Sequence, residues 1–212
     1  PAQSVSLNQG GQIDAFGRLR VSQVTSFFDS KQLHDKQPLF WDEVNTPSSS
    51  STHSTTNAQT AMATTASGAY VIRQTFQRFN YQTGKSQQIF MTFSAMNTET
   101  NIEKRVGYFS SSTVAPYTAS IDGMYLENDG TGISIKVQRT GTTVFDVPQS
   151  SWDDPMDGTG ASGYTIDWSK SQILMIDFEW LGVGITRFSF VIDGVLIPVL
   201  VNKNANVNSL VY

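Results

Sequence analysis

Asp177 and Glu179 are the side chains whose type and spacing point most directly to chemistry in this sequence. The run Ile173 to Trp180 reads as a β-strand, where residues i and i+2 project to the same side, so the two carboxylates stand together. Glycoside hydrolysis needs such a pair: an acid, with a nucleophile or base roughly 5–5.5 Å away in retaining enzymes. The plainer reading is a solvent-facing or hydrogen-bonded pair on a structural strand. A second acidic group lies in Trp152-Asp153-Asp154-Pro155-Met156-Asp157-Gly158-Thr159-Gly160. Its carboxylates suit calcium, which takes several oxygen ligands from flexible loops. As an EF-hand it fails, with Pro155 at the third position and Tyr164 at the twelfth. Asp-Pro and Asp-Gly also form ordinary turns, so Asp153, Asp154 and Asp157 read first as an acidic turn and second as calcium ligands. Around that loop stand Trp152, Tyr164 and Trp168. Exposed, they would stack on sugar rings as candidate glycan-binding residues; buried, they would cap the end of a core.

Other nucleophile and metal chemistry finds little support. His34 and His53 have no second ligand at metal spacing, and no Gly-x-Ser-x-Gly elbow places a Ser-His-Asp triad. Gly182-Val183-Gly184 precedes no helix start, so it reads as a strand connection and not a phosphate loop. Cysteine is absent, which excludes thiolate metal sites, disulfides and a Cys nucleophile. The stretch Met175 to Gly182 resembles the active strand of retaining β-glucanases and laminarinases, which have a concanavalin-like sandwich. That resemblance implies Glu179 as acid/base and Asp177 as the assisting aspartate. The nucleophile position is held by Met175, whose thioether cannot form a glycosyl ester. The resemblance therefore implies the fold more than the activity, and the chain is expected to be no enzyme, with no metal and no cofactor.

The elements that must position these residues are strands. Ala69–Phe76 and Gln87–Phe93 read as strands joined through the turn Gln82-Thr83-Gly84-Lys85, with Arg105–Phe109 as a third. Met124–Glu127, Ile133–Gln138 and Thr142–Val147 read as a meander, turned at Asn128-Asp129-Gly130 and Thr140-Gly141. Ile173–Trp180, Ile185–Asp193 and Val195–Val201 form a last group, turned once at Asp193-Gly194. Phe188, Phe190 and Ile192 share one face of its middle strand, and Pro198 predicts that its final strand is an edge or is bulged. No ten-residue segment carries a helical apolar stripe. The expected fold is all-β, an antiparallel β-sandwich or jelly roll over 68–212, concanavalin-like, with an extended N-terminal arm over 1–45. Between them, thirteen of the twenty-two residues 46–67 are Ser or Thr and none is charged, which suits a loop, an edge strand or both.

Composition narrows the function. Charged residues are only 15% of the chain and the net charge is −4. Lys104-Arg105 is the sole basic pair in the sandwich segment, so no basic face for nucleic acid is expected. No apolar run approaches the roughly 18 residues of a membrane span, and none is expected to insert. The arm carries Phe27, Phe28, Phe40 and Trp41, large apolar anchors that must dock on the chain's own domain or on a neighbouring subunit.

A wider set of motifs points to a source. Asp14-Ala15-Phe16-Gly17-Arg18-Leu19-Arg20-Val21-Ser22, Phe28-Asp29-Ser30-Lys31 and Pro38-Leu39-Phe40-Trp41-Asp42 lie in the arm, and Arg105-Val106-Gly107-Tyr108-Phe109 and Ile176-Asp177-Phe178-Glu179-Trp180-Leu181-Gly182-Val183-Gly184 in the sandwich. As a set they resemble virion structural proteins of tailed phages and large DNA viruses, capsid-associated or tail-fibre components. The resemblance implies a virion-surface location, other virion proteins as partners, a homo-oligomer such as a trimer, and a sequence that continues past Tyr212. Two functions follow as expectations: a minor capsid, cement or decoration protein acting through subunit interfaces, or a fibre or spike adhesin that holds a host glycan.

Overall fold

A computed structural model describes residues 25–80, 85–111, 122–179 and 184–207. It is all-β, with twelve strands and one short 3-10 turn among the described residues. Two compact units divide the chain, residues 1–80 and 81–212.

The first unit holds β1 (Trp41–Asn45), β2 (Ser49–Ser54), β3 (Gln59–Thr64) and β4 (Val71–Thr75). β1 and β4 pair antiparallel, from Trp41 opposite Thr75 to Asn45 opposite Val71. β2 and β3 form a hairpin, so the Ser/Thr-rich stretch is strand, turn and strand. Its threonines fit the pleat, and its turn is fastened by the Asn57 amide donating to Ser54 Oγ at 3.3 Å. Because β4 belongs with β1, the division between units falls after Asn80, which corrects the expected start of the sandwich at residue 68. It also corrects the expected joining of 69–76 to 87–93 as neighbours: one strand pairs with β1, the other within the second unit. The arm motif Asp14 to Ser22 lies outside the described residues.

A lone two-stranded ribbon is marginal in water, and residues 28–37 stitch these two together. Gln32 is a hub: its carbonyl meets His53 Nε2 at 2.8 Å, and its side-chain oxygen accepts from Thr60 Oγ1 at 2.5 Å and Arg73 Nη1 at 3.1 Å. Glu43 binds Arg73 at 2.7 Å and Lys36 at 2.6 Å. The Arg73 guanidinium lies 5.0 Å over the Trp41 ring. Among the described residues 25–80, none is fully buried.

The second unit is a sandwich of two four-stranded antiparallel sheets. Its strands are β5 (Ser86–Phe93), β6 (Lys104–Phe109), β7 (Gly123–Asn128), β8 (Ile133–Arg139), β9 (Thr142–Pro148), β10 (Gln172–Glu179), β11 (Ile185–Ile192) and β12 (Val195–Lys203). One sheet runs β12-β11-β10-β5 and the other β6-β7-β8-β9, so the chain changes sheet only after β5 and after β9. Both expected three-strand meanders are present. Leu126, Ile135 and Val137 from one sheet meet Leu174, Ile176, Phe188 and Phe190 from the other, all at 0% exposure. Alternation supplies this core: every second residue of each strand faces inward.

Local turn chemistry sets the register. Thr140-Gly141 (φ 50 and 74°) and Asp193-Gly194 (φ 51 and 78°) are two-residue turns with both residues left-handed, the form whose twist suits a hairpin. Pro198 lies on the edge strand β12 and also beside a bulge. Ser189 stands opposite Pro198 and Phe188 opposite Leu200, which leaves Val199 as the extra residue. At Gly107 the strands β6 and β7 approach closely. A Cβ placed there would sit 2.5 Å from the Met124 carbonyl oxygen and the Tyr125 Cα. We expect Gly107→Val to destabilise the sandwich by about 1–3 kcal/mol as an overpacked site, seen as a lower midpoint in urea unfolding. An unchanged midpoint would mean that the strands part without cost.

Candidate functional site

Asp177 and Glu179 share the outer side of β10, as their spacing predicts, while Leu174, Ile176 and Phe178 fill the core. Asp177 faces Arg187 on β11 and Gln88 on β5, and Arg187 Nη1 reaches Asp177 Oδ2 at 3.4 Å. Asp177 is 8% exposed and Met175, two residues before it, 2%. Gln88 Nε2 lies 3.7 Å from the Met175 sulfur. The strand thus presents one carboxylate engaged by a guanidinium, a second beyond it, and a covered thioether where a nucleophile would have to stand. Trp180 to Val183, the rest of that motif, lies outside the described residues.

The acidic loop spends its carboxylates on its own backbone. Asp153 Oδ2 accepts from the Val201 amide at 3.0 Å, Asp154 from the Met156 and Ser162 amides at 3.1 and 2.7 Å, and Asp157 from the Thr159 amide and hydroxyl at 2.9 and 2.6 Å. Burial pushes the Asp154 carboxyl up, yet the hydrogen bonds from Ser162 and Met156 outweigh it and hold it below the usual range. Gly160 leaves the room: a Cβ there would overlap the Asp154 carboxylate. Asp154 and Asp157 fasten turns of the loop itself and Asp153 ties the loop to β12, and among the described residues no group of three or more His, Asp or Glu converges as a metal cage would.

The three aromatics around this loop differ in burial. Trp152 is 5% exposed and belongs to the core, stacked 6.4 Å from Phe190. Trp168 packs edge-on against both, at 6.3 Å from Trp152 and 5.7 Å from Phe190. Their indole N–H groups are satisfied from within, Trp152 by the Val147 carbonyl at 3.0 Å and Trp168 by Gln149 Oε1 at 3.1 Å. Trp152 closes one end of the core, and the half-buried Trp168 packs against it from outside. Tyr164, at 38% exposure, is the surface member of the three.

A charged ladder crosses the outer side of the other sheet, and sequence reading missed it. Glu127 on β7, with its side chain 3% exposed, accepts from Arg105 Nε on β6 at 2.7 Å and pairs with Lys136 on β8. Arg105 also pairs with Glu103, and Lys136 lies 3.5 Å from Asp146 on β9. Burial pushes Glu127 up, but the hydrogen bonds from Lys136 and Arg105 and their charges prevail, so its carboxyl is held below the usual range. The signal was present: Arg105, Glu127, Lys136 and Asp146 each sit next to an inward apolar residue. The meander makes β7, β8 and β9 neighbours, but the register that sets Arg105 opposite Glu127 and Lys136 opposite Asp146 has no mark in the sequence.

The apolar anchors of the arm are divided in two. Phe28 makes edge contacts with Phe40 at 6.3 Å, Trp41 at 5.9 Å and Phe79 at 5.6 Å, and Trp41 Nε1 donates to Ser30 Oγ at 2.8 Å. Phe28 and Trp41 are therefore internal anchors. Phe27 and Phe40 stay 55% and 51% exposed, beside Leu39 at 87% and Phe76 at 56%. The Phe76 amide donates to the Phe40 carbonyl at 2.9 Å and Gln77 Nε2 to the Phe27 carbonyl at 3.3 Å, which gathers Phe27, Leu39, Phe40 and Phe76 at one end of the β1–β4 ribbon. Phe76 reads in sequence only as the end of a strand. It joins the arm because β4 pairs with β1. Exposed apolar side chains grouped in this way mark an interaction surface. No protein family, curated protein or solved structure matches the chain.

Proposed function

We propose that this chain is a structural protein of a virion surface, a minor capsid, cement or decoration component that works by burying interface against neighbouring virion proteins. The observation that carries this reading is the first unit: its described residues include no buried apolar residue, yet four large apolar ones stand exposed at one end of the β1–β4 ribbon. A unit of that kind gains stability by being covered. The virion location rests on the resemblance of the arm and sandwich motifs. The low charge and the absence of cysteine fit a domain present in many copies with covered faces. Of the adhesin alternative's three aromatics, Trp152 is buried, Trp168 half-buried and Tyr164 exposed.

Immunogold labelling of purified virions with an antibody against the chain tests the location. Label spread over the shell is the expected result; label confined to a tail or spike would favour the adhesin, and unlabelled virions would remove the reading. Leu39→Asp combined with Phe76→Asp should lower incorporation into virions roughly tenfold or more, as loss of apolar anchors at an interface centre does. Incorporation at the wild-type level would show that the first unit is not the docking element.

A further inference from the structure

Resting on the reading of the first unit as the docking element, we infer that the face formed by Phe27, Leu39, Phe40 and Phe76 is covered by the same face of a second copy of this chain, in a two-fold pair. A two-fold interface brings one patch against itself, so that patch must carry both a projection and a recess that fits it. Both are present. Leu39, at 87% exposure, is the most exposed large apolar side chain among the described residues. Beside it opens a recess of about 250 Å³ lined by Lys36, Pro38, Trp41, Asp42, Glu43 and Phe76, large enough to receive one leucine side chain.

Area and charge agree with a second copy. With three phenylalanines about half exposed and one leucine nearly fully so, the face offers roughly 400–500 Å² of apolar surface. A standard interface takes about 800 Å² from each partner, some 56–65% of it apolar, which is the same amount. Identical faces also bring identical charges, so a strongly charged patch would repel its copy. Here Lys36 and Arg73 are balanced by Glu43, which pairs with both, together with Asp42 beside them in the recess, and Lys31 lies 3.4 Å from Asp29. Residues 1–80 carry six Lys and Arg against five Asp and Glu, whereas residues 81–212 carry eight against thirteen. The near-neutral half of the chain is the one that bears the apolar face.

The test is the solution mass of the full chain by light scattering after size exclusion, at roughly 100 µM, well above the micromolar limit expected for a weak interface of this size. Wild type and a control variant, Phe90→Asp, which changes an exposed residue of the second unit, should both show twice the 23.3 kDa chain mass. Leu39→Asp, which removes no buried contact, should dissociate at concentrations at least tenfold higher than wild type when the mass is followed through a dilution series. A single-chain or threefold mass for wild type, or a Leu39→Asp chain that dissociates at the same concentration as wild type, overturns the proposal. The two readings then separate on virions. A monomeric wild type whose incorporation still depends on Leu39 and Phe76 leaves the docking reading intact with another virion protein as occupant. Incorporation indifferent to both residues removes the docking reading as well.

Discussion

Glu127→Ala is expected to destabilise the second unit by about 3–5 kcal/mol, the cost of breaking a buried ion pair by removing one partner. The carboxylate is nearly sealed and holds two cations, Arg105 and Lys136, from the strands on either side. Removing it leaves those cations facing one another across the sheet, with Glu103 and Asp146 as their remaining partners. Glu127→Gln keeps the shape but not the charge and should fall between alanine and wild type. The ladder also sets a pH dependence. Glu127 is held below the ordinary carboxylate pKa of about 4.3, so the folded state binds its proton less readily than the unfolded chain does. Its contribution is fully present above that ordinary value and is lost as pH falls through the lowered one. Urea unfolding from pH 7 into the acid range should show stability falling with pH in wild type, with a shallower fall in Glu127→Gln. Equal slopes would mean that the carboxylate is not held by its two cations.

Trp152→Ala is expected to cost the sandwich about 3–5 kcal/mol, the range for truncating a large buried aromatic. The indole lies between the stacked Phe190 and the edge-on Trp168, and it donates to the Val147 carbonyl. Its loss opens a cavity at the end of the core and leaves that carbonyl without its donor. Thermal melting by circular dichroism should show a large fall in midpoint. The same variant separates two roles. A core residue changes stability and leaves any saccharide signal on a glycan array where it was. A stable Trp152→Ala chain that had lost saccharide binding would return the residue to the surface role its neighbourhood suggests in sequence.

The strands, their alternation and the tight turns are legible in the sequence because a strand writes its burial at period two and a left-handed turn demands glycine or a small polar residue. Phe188 and Phe190 declare the core side of β11, and Asp193-Gly194 declares the hairpin, without knowledge of any partner. Pairing between distant strands leaves no such mark. Nothing local in Val71–Thr75 tells that it joins Trp41–Asn45 thirty residues earlier and not its neighbour in sequence, so both the unit boundary and the place of Phe76 escaped. The Glu127 ladder escaped for a different reason: its strands β7, β8 and β9 read as a meander, but its charges lie one to a strand and only the register brings them level. For Trp152 the sequence leaves a surface and a core role open, because a single aromatic beside an Asp- and Gly-rich loop carries no periodic mark of burial. The loop is polar because Asp154 and Asp157 fasten its own amides and Asp153 ties it to the Val201 amide of β12.

Pro198 and the bulge at Val199 have a consequence for crowding. An open sheet edge is a template on which the strand of another molecule can add, and proteins displayed in dense arrays meet such edges constantly. Proline has no amide hydrogen to give to a newcomer, and beyond it the Val199 carbonyl and the Val201 amide are already held by the Asp154 amide and the Asp153 carboxylate. At that border the sheet ends instead of seeding another, so neighbouring copies can be packed close without their sandwiches growing into one continuous fibre.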